Sequence, residues 1–171
     1  MITHSTNQES GFTLVEFLLY LFIFGLVISI AFGMFRITTQ ARLKNQTIAE
    51  VEQQGQFVMN YITQAVRNAD TINAPAAGSA GSSLSVQSYV TASNPIVFDL
   101  NTGAIRASSA GVAASPITNN KVTASNFMIT NASRTGTPGT IKIQFTLARA
   151  GSSVKTEYIH SKTFYGSATL R

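Results

Sequence analysis

The chain has 171 residues, of which 44% are hydrophobic and 11% are charged, and its formal net charge is +5. This length suits one small domain and an anchor segment, and the absence of cysteine excludes disulfide bonds. The basic residues are scattered and form no run, so the charge predicts a mildly basic surface rather than a nucleic-acid patch.

The first element is an apolar segment from Phe12 to Phe35, which follows a short and mostly polar stretch. It exceeds the about 20 residues that a helix needs to cross a bilayer, so we expect a membrane-spanning helix over residues 12–35. A cleaved secretory signal remains an alternative, although secretory apolar regions are shorter. Basic residues follow the segment, and by charge alone they would hold the C-terminal side in the cytoplasm: Arg36, Arg42 and Lys44.

Glu16 is the one charged residue within the apolar segment. A carboxylate near the centre of a bilayer costs about 2.5–3.5 kcal/mol on insertion scales, and charged residues there are usually functional. Glu16 is therefore a candidate functional residue, and it needs a partner for its charge. Tyr20, one helical turn later, is expected to pack between neighbouring helices.

Three small residues, Gly25, Ser29 and Gly33, recur at intervals of four within the apolar segment. This spacing places them on one helix face, where they would let a second helix approach closely. Glycine is also common in membrane helices without such a role, and the sequence leaves both interpretations open.

An amphipathic helix is predicted over residues 36–73 as a continuation of the apolar helix. Its apolar positions are spaced by three and four residues, which places them on one face: Ile48, Val51, Gly55, Val58, Ile62, Ala65 and Ala69. The helix is expected to end between Asp70 and Asn73, before Pro75. Residues 74–83 are rich in Ala, Gly and Ser, which favours a flexible loop.

The remainder, residues 74–171, is predicted to form a β-rich domain. A hairpin is expected over residues 95–106 and short strands near residues 84–90 and 127–129. The clearest strand alternates apolar and polar positions, and its apolar set is Ile141, Ile143, Phe145 and Leu147. Residues 154–164 would pair with it, and the buried face would pack over the helix near Val58, Ile62 and Ala65. A long helix followed by strands predicts an α+β fold, with the helix packed on a C-terminal antiparallel sheet.

No pattern in the sequence indicates catalysis. His4 and His160 are isolated, and no acidic residue lies at catalytic or metal-ligand spacing from a histidine. Nucleotide-binding and hydrolase motifs are absent as well. We therefore expect a protein that is not an enzyme and that holds neither a metal ion nor a cofactor.

Basic and aromatic residues alternate over residues 155–165, which leaves a nucleic-acid interface open. The favoured interpretation is a half-exposed edge or central strand with aromatic side chains in the core. The residues concerned are Lys155, Tyr158, His160, Lys162, Phe164 and Tyr165.

The residues that precede the apolar helix, from Gly11 and Phe12 to Glu16, resemble the class III prepilin processing signal of type IV pilins and type II secretion pseudopilins. The resemblance implies that a prepilin peptidase cuts after Gly11 and N-methylates the new terminal residue, Phe12. It also implies that Glu16 meets the N-terminal amine of a neighbouring subunit. Residues 57–69 resemble the corresponding helix of J- and W-type minor pilins.

This resemblance implies a leader over residues 1–11, a filament-core helix over 12–35, an amphipathic helix over 36–73 and a globular domain over 74–171. The expected function is that of a structural, minor subunit of a type IV pilus or pseudopilus. Its partners would be the prepilin peptidase, other pilin subunits and an inner-membrane assembly platform. It would span the membrane once with its C-terminal domain exported, and then lie in a periplasmic or cell-surface filament.

Two alternatives remain open on the sequence alone. One is an unrelated signal-anchored envelope protein with a β-rich ligand-binding domain. The other is a filament-tip subunit that binds DNA or a surface.

Overall fold

The computed structural model describes residue 11 and residues 13–134, 136, 138–151 and 159–171. The chain divides into two compact units, Met1–Arg42 and Leu43–Arg171. The long helix α1 spans Leu14–Arg67 and contributes to both units.

Helix α1 begins with a side-chain cap. The Thr13 hydroxyl accepts a hydrogen bond from the backbone N–H of Glu16 at 3.3 Å, which satisfies one of the N–H groups that the first turn leaves without a partner. The described residues of α1 in the first unit bury none of their side chains within this chain. The apolar side chains of this part of α1 are therefore not buried by other described residues of the first unit.

The part of α1 in the second unit buries one stripe against the β-strands. The predicted stripe is confirmed at Val51, Gly55, Val58 and Ile62, all of which are buried. Thr47 and Val66 are also buried and extend the stripe in both directions. The predicted positions Ile48 and Ala65 are only half-buried.

The predicted helix over residues 36–73 extends too far, because α1 ends at Arg67. Residues Ala69–Ala74 form strand β1 instead. Asn68 closes the last turn by donating its backbone N–H to the carbonyl of Gln64 at 3.0 Å. Pairing with the strand Ser83–Ser88 then takes the backbone hydrogen bonds that a continued helix would have used.

Five antiparallel strands form the first sheet, in the order β1-β3-β4-β5-β6. After β1 these are β3 (Ser83–Ser88), β4 (Ile96–Asn101), β5 (Ala104–Ser109) and β6 (Ser115–Pro116). A short 3-10 turn, Thr91–Ser93, lies between β3 and β4. The predicted hairpin is confirmed as β4–β5, and Thr102 (φ 47°) and Gly103 (φ 76°) form its two-residue turn. Two positive φ angles are typical of hairpin turns that match the twist of the strands.

Four antiparallel strands form the second sheet, in the order β2-β7-β8-β9. They are β2 (Ala80–Gly81), β7 (Val122–Asn131), β8 (Thr140–Arg149) and β9 (Ser161–Thr169). The alternating strand is confirmed as β8, whose four apolar residues are buried. Its partner β9 begins at Ser161 and continues past the expected end at Phe164, while residues 152–158 lie outside the described residues.

The α+β fold is confirmed, but the strands are divided between two sheets instead of one. The helix stripe and the inner faces of both sheets share one hydrophobic core. The largest fully buried side chains are Phe98 from the first sheet and Phe145 from the second. The core thus depends on apolar side chains from β4, β8 and α1 together.

Asn131 is a buried polar residue at the end of β7. Its amide nitrogen donates to the carbonyl of Pro75 at 2.7 Å, and its side-chain oxygen accepts from the backbone N–H of Ser133 at 3.0 Å. Both ends of the amide are therefore satisfied inside the protein. The contact with Pro75 ties the end of β7 to the segment that follows β1.

Candidate functional site

The predicted cleavage position lies just before α1. Gly11 is exposed, and a Cβ at this position would meet no other atom of the chain within 4 Å. An uncovered glycine leaves the backbone open to the close approach that proteolysis requires. Phe12 lies outside the described residues, so its methylation stays a prediction.

Glu16 lies in the first turn of α1 and is partly covered. One carboxylate oxygen accepts a hydrogen bond from the Tyr20 hydroxyl at 3.2 Å. The two residues are four apart, so they lie on the same helix face. Carboxylates are also favoured at the N-terminal end of a helix, where the backbone carries partial positive charge.

Tyr20 makes a contact that the sequence analysis did not predict. Its hydroxyl donates to the Glu16 carboxylate, while its packing between neighbouring helices stays a prediction. The i, i+4 spacing was the available signal, because a hydroxyl at that distance reaches the carboxylate on the same face.

The Glu16 carboxylate has no cationic partner in the part of the chain that the structure describes. The three ion pairs there all lie in the second unit: Arg106–Asp99, Lys121–Glu50 and Lys162–Glu52. An ionised carboxylate can accept several hydrogen bonds, and among the described residues it accepts one from Tyr20. Glu16 therefore keeps the capacity to accept a positively charged group from elsewhere.

The small residues Gly25, Ser29 and Gly33 are all exposed. A Cβ added at Gly25 or at Gly33 would meet no atom of the chain within 4 Å. Packing of this face against another helix stays a prediction.

By length and composition, α1 is able to cross a membrane, and the apolar stretch that qualifies it is entirely unburied within this chain. Its large hydrophobic side chains, from Leu14 to Ile37, are each about half exposed or more. Such an exposed apolar surface on one helix is typical of a segment that lies in lipid or against other helices.

Two carboxylates of α1 in the second unit, Glu50 and Glu52, are engaged in structural contacts. Asn119 donates a side-chain hydrogen bond to Glu50 at 2.5 Å, and this bond, together with the nearby Lys121 ammonium, lowers the pKa of Glu50. Hydrogen bonding and attraction from Lys162 likewise lower the pKa of Glu52. Among the described residues, no group of three or more His, Cys, Asp or Glu side chains could hold a metal ion.

The basic and aromatic stretch over residues 155–165 does not form one surface in the described part of the chain. Lys155 and Tyr158 lie outside the described residues. Lys162 pairs with Glu52 of α1 and lies over the ring of Phe164, which stacks on the core residue Phe145. Tyr165, the next residue along β9, points to the opposite face of the sheet because side chains alternate along a strand.

Comparison with known proteins identifies a family motif at the N-terminal end of the chain. Residues 6–32 match the prokaryotic N-terminal methylation motif, which is typical of type IV pilin-like prepilins. No curated protein and no solved structure matches the chain. The motif covers Gly11, Phe12 and Glu16 and the first turns of α1. Together with the apolar helix, it supports a membrane-anchored, prepilin-type protein that a peptidase processes.

Proposed function

We propose that this protein is a structural subunit of a type IV pilus or of a type II secretion-like pseudopilus. The observation that carries the proposal is the methylation motif at residues 6–32, which leads into a helix whose apolar surface is uncovered within the chain. Cleavage after Gly11 would free Phe12 as an N-methylated terminus. The apolar helix would then leave the membrane and enter the core of a helical filament.

Glu16 would guide this assembly. An unpaired carboxylate in an apolar environment is unfavourable, and a positively charged N-terminal amine from a neighbouring subunit removes that penalty. The hydrogen bond from Tyr20 holds the carboxylate in place on the helix surface. One favourable pairing position along the helix would fix the axial register between subunits.

The exposed stripe of Gly25, Ser29 and Gly33 would be a second assembly element. Its three side chains are small, which suits close approach of a neighbouring helix. The expected partners are other pilin or pseudopilin subunits, the prepilin peptidase and an inner-membrane assembly platform.

A minor-subunit role is supported by residues 57–69, which resemble the helix of J- and W-type minor pilins. Because the chain keeps Glu16, it would lie within or on the flank of the filament rather than at the extreme tip, where no subunit lies above. The second unit would be exported and exposed at the cell surface or in the periplasm. We assign it a structural role without catalysis, metal or cofactor.

Filament incorporation tests this function. In cells that carry the cognate assembly system, Glu16→Ala should insert into the membrane at least as well as the wild type, because an unfavourable charge is removed. Its incorporation into filaments should fall strongly. Tyr20→Phe keeps the carboxylate and removes only the hydroxyl, so it should reduce incorporation less than Glu16→Ala does.

The measurement is the amount of the protein in sheared filaments relative to that in membranes, determined by immunoblotting. Ile28→Leu is the matched control, because it alters an exposed apolar residue of the same helix that belongs neither to the Glu16–Tyr20 pair nor to the small-residue stripe, and it leaves the charge unchanged. Assembly of Glu16→Ala at the wild-type level would show that Glu16 is not the docking group.

A further inference from the structure

The outer face of the second sheet carries mostly hydroxyl groups. Nine of the outward positions on β7, β8 and β9 are Ser or Thr. They are Thr123, Ser125, Thr130, Thr140, Thr146, Ser161, Thr163, Ser167 and Thr169. Two cross-strand hydroxyl pairs show that these groups line up in rows: Thr146 with Thr163 at 2.9 Å, and Thr140 with Thr169 at 3.3 Å.

Two rows of other side chains cross the middle of this face. Met128, Gln144 and Tyr165 are direct cross-strand neighbours on the three strands. In the adjoining row, Thr130, Lys142 and Ser167 are neighbours in the same way. Both rows line a shallow groove of about 380 Å³. The groove therefore combines two apolar side chains, an amide, hydroxyl groups and one ammonium group.

The apolar members of the groove are exposed to solvent. Tyr165 is 73% exposed and Met128 is 50% exposed. An aromatic ring that stands on a flat, hydroxyl-rich sheet offers a face for stacking without a deep pocket. The exposed apolar area is confined to these two side chains, whereas protein-binding surfaces usually present a larger continuous apolar patch.

Among the described residues, the groove carries one positive charge. Lys142 is the only charged residue among the outward positions of the three strands within the described chain. No carboxylate of a described residue forms an ion pair with it, since the three ion pairs involve other cations. The groove is therefore complementary to a ligand with sparse negative charge.

We propose that this outer face of β7, β8 and β9 binds an acidic polysaccharide, a property that goes beyond the filament role. A sugar ring would stack on Tyr165, a uronate carboxylate would pair with Lys142, and Gln144 and the hydroxyl groups would hydrogen-bond the sugar hydroxyls. The rows of hydroxyl groups suit a polysaccharide, because they offer hydrogen-bonding groups at regular intervals. These groups repeat about every 4.8 Å from strand to strand and about every 7 Å along each strand.

Nucleic acid fits this face less well. Its affinity for proteins comes largely from several phosphate contacts made by lysine and arginine, and this face offers one ammonium group. A polymer with widely spaced carboxylates and many hydroxyl groups matches both the charge and the uncharged polar groups.

Calorimetric titration of the full-length protein in a non-ionic detergent with polygalacturonate oligosaccharides tests the proposal. Lys142→Gln and Tyr165→Thr should each weaken binding about tenfold or more, which matches the loss of one charge-assisted hydrogen bond or one stacking contact. Lys44→Gln and Tyr89→Thr remove an exposed lysine and an exposed tyrosine elsewhere and should leave the affinity unchanged.

Three further polymers separate the contribution of the carboxylate charge from that of the sugar rings. Methyl-esterified polygalacturonate lacks the carboxylate charge, so the wild type should bind it more weakly and Lys142→Gln should bind it as well as the wild type does. Polyglutamate and single-stranded DNA should bind at least tenfold more weakly than polygalacturonate.

The proposal is wrong if the wild type does not bind polygalacturonate, or if the groove variants bind it like the two control variants. Binding of polyglutamate or single-stranded DNA that is equally tight, and equally sensitive to Lys142→Gln, would instead define a general polyanion surface. Circular dichroism of each variant verifies that the substitutions leave the fold intact.

Discussion

Gly55 of α1 lies directly against the ring of Phe164 on β9, so that a Cβ at position 55 would overlap the ring. The ring has little room to retreat, because it stacks on Phe145 with 5.3 Å between the ring centroids. Glycine at this position therefore brings helix and sheet together more closely than any other residue would allow.

Gly55→Ala should lower the melting temperature of the second unit. Overpacking a core costs about 1–3 kcal/mol, whereas Ala in place of Gly gains only about 1 kcal/mol of helix propensity. Thermal unfolding followed by near-ultraviolet circular dichroism measures the effect.

Gly33→Ala is the matched control, because its new methyl group would meet no atom of the chain within 4 Å. The double variant Gly55→Ala with Phe164→Leu should recover part of the lost stability by making space. If Gly55→Ala melts no lower than Gly33→Ala, the close contact with Phe164 does not limit packing.

Phe145→Ala should be the more damaging change. The side chain is fully buried on the inner face of β8, and truncating a buried Phe costs about 3–5 kcal/mol. That loss is a large part of the about 5–15 kcal/mol that stabilises a typical domain. Chemical denaturation of the variant should give a much lower midpoint, while exposed Tyr165→Thr should hardly shift it. An unchanged midpoint for Phe145→Ala would contradict the position of β8 over the helix.

Gly11→Val should block processing, because a branched side chain fills the space that the exposed glycine leaves open. With the cognate peptidase present, mass spectrometry of the wild type should find an N-methylated Phe12 at the terminus. Gly25→Val lies well inside the helix and should be processed normally. An intact Met1 in assembled material, or a terminus near Ala31, would refute cleavage after Gly11.

The contact between Glu50 and Asn119 should make stability depend on pH. Its hydrogen bond lowers the pKa of Glu50 below 4.5 in the folded protein. Because the pKa of Glu50 is lower in the folded protein, this contact stabilises the fold fully above the unfolded pKa. The stabilisation is lost as the pH falls through 4.5 toward the folded pKa. Glu50→Gln cannot titrate, so its melting temperature should fall less than that of the wild type across this acidic window. If the melting temperatures of Glu50→Gln and the wild type fall equally with pH, Glu50 does not contribute to the loss of stability in acid.

Several features of the fold follow from local pattern. The alternation of Ile141 to Leu147 predicts β8 because a strand has period two, and each apolar residue there faces the core. The hairpin β4–β5 follows from the turn signal Asn101–Thr102–Gly103 between two apolar runs, in which Gly103 readily adopts the positive φ that the turn requires. The helix stripe through Val51, Val58 and Ile62 follows from its helical spacing.

Features that depend on distant partners were not predictable in the same way. The end of α1 at Arg67 is set by pairing of β1 with β3, and the local residues around Asp70 do not reveal that partner. The division into two sheets likewise depends on which strands pair. For the candidate site, a charge in an apolar helix identifies Glu16, while the hydroxyl of Tyr20 required the helix geometry.

The buried amide of Asn131 determines whether the chain can be glycosylated there. Asn131, Ala132 and Ser133 have the spacing of an N-linked glycan acceptor. The nitrogen that would carry the sugar instead donates to the carbonyl of Pro75 inside the protein, and the Ser133 hydroxyl bonds the same asparagine. Folding therefore makes the Asn131 amide inaccessible, so an oligosaccharyltransferase should modify the unfolded chain only. Mass spectrometry of the folded protein should find Asn131 without sugar.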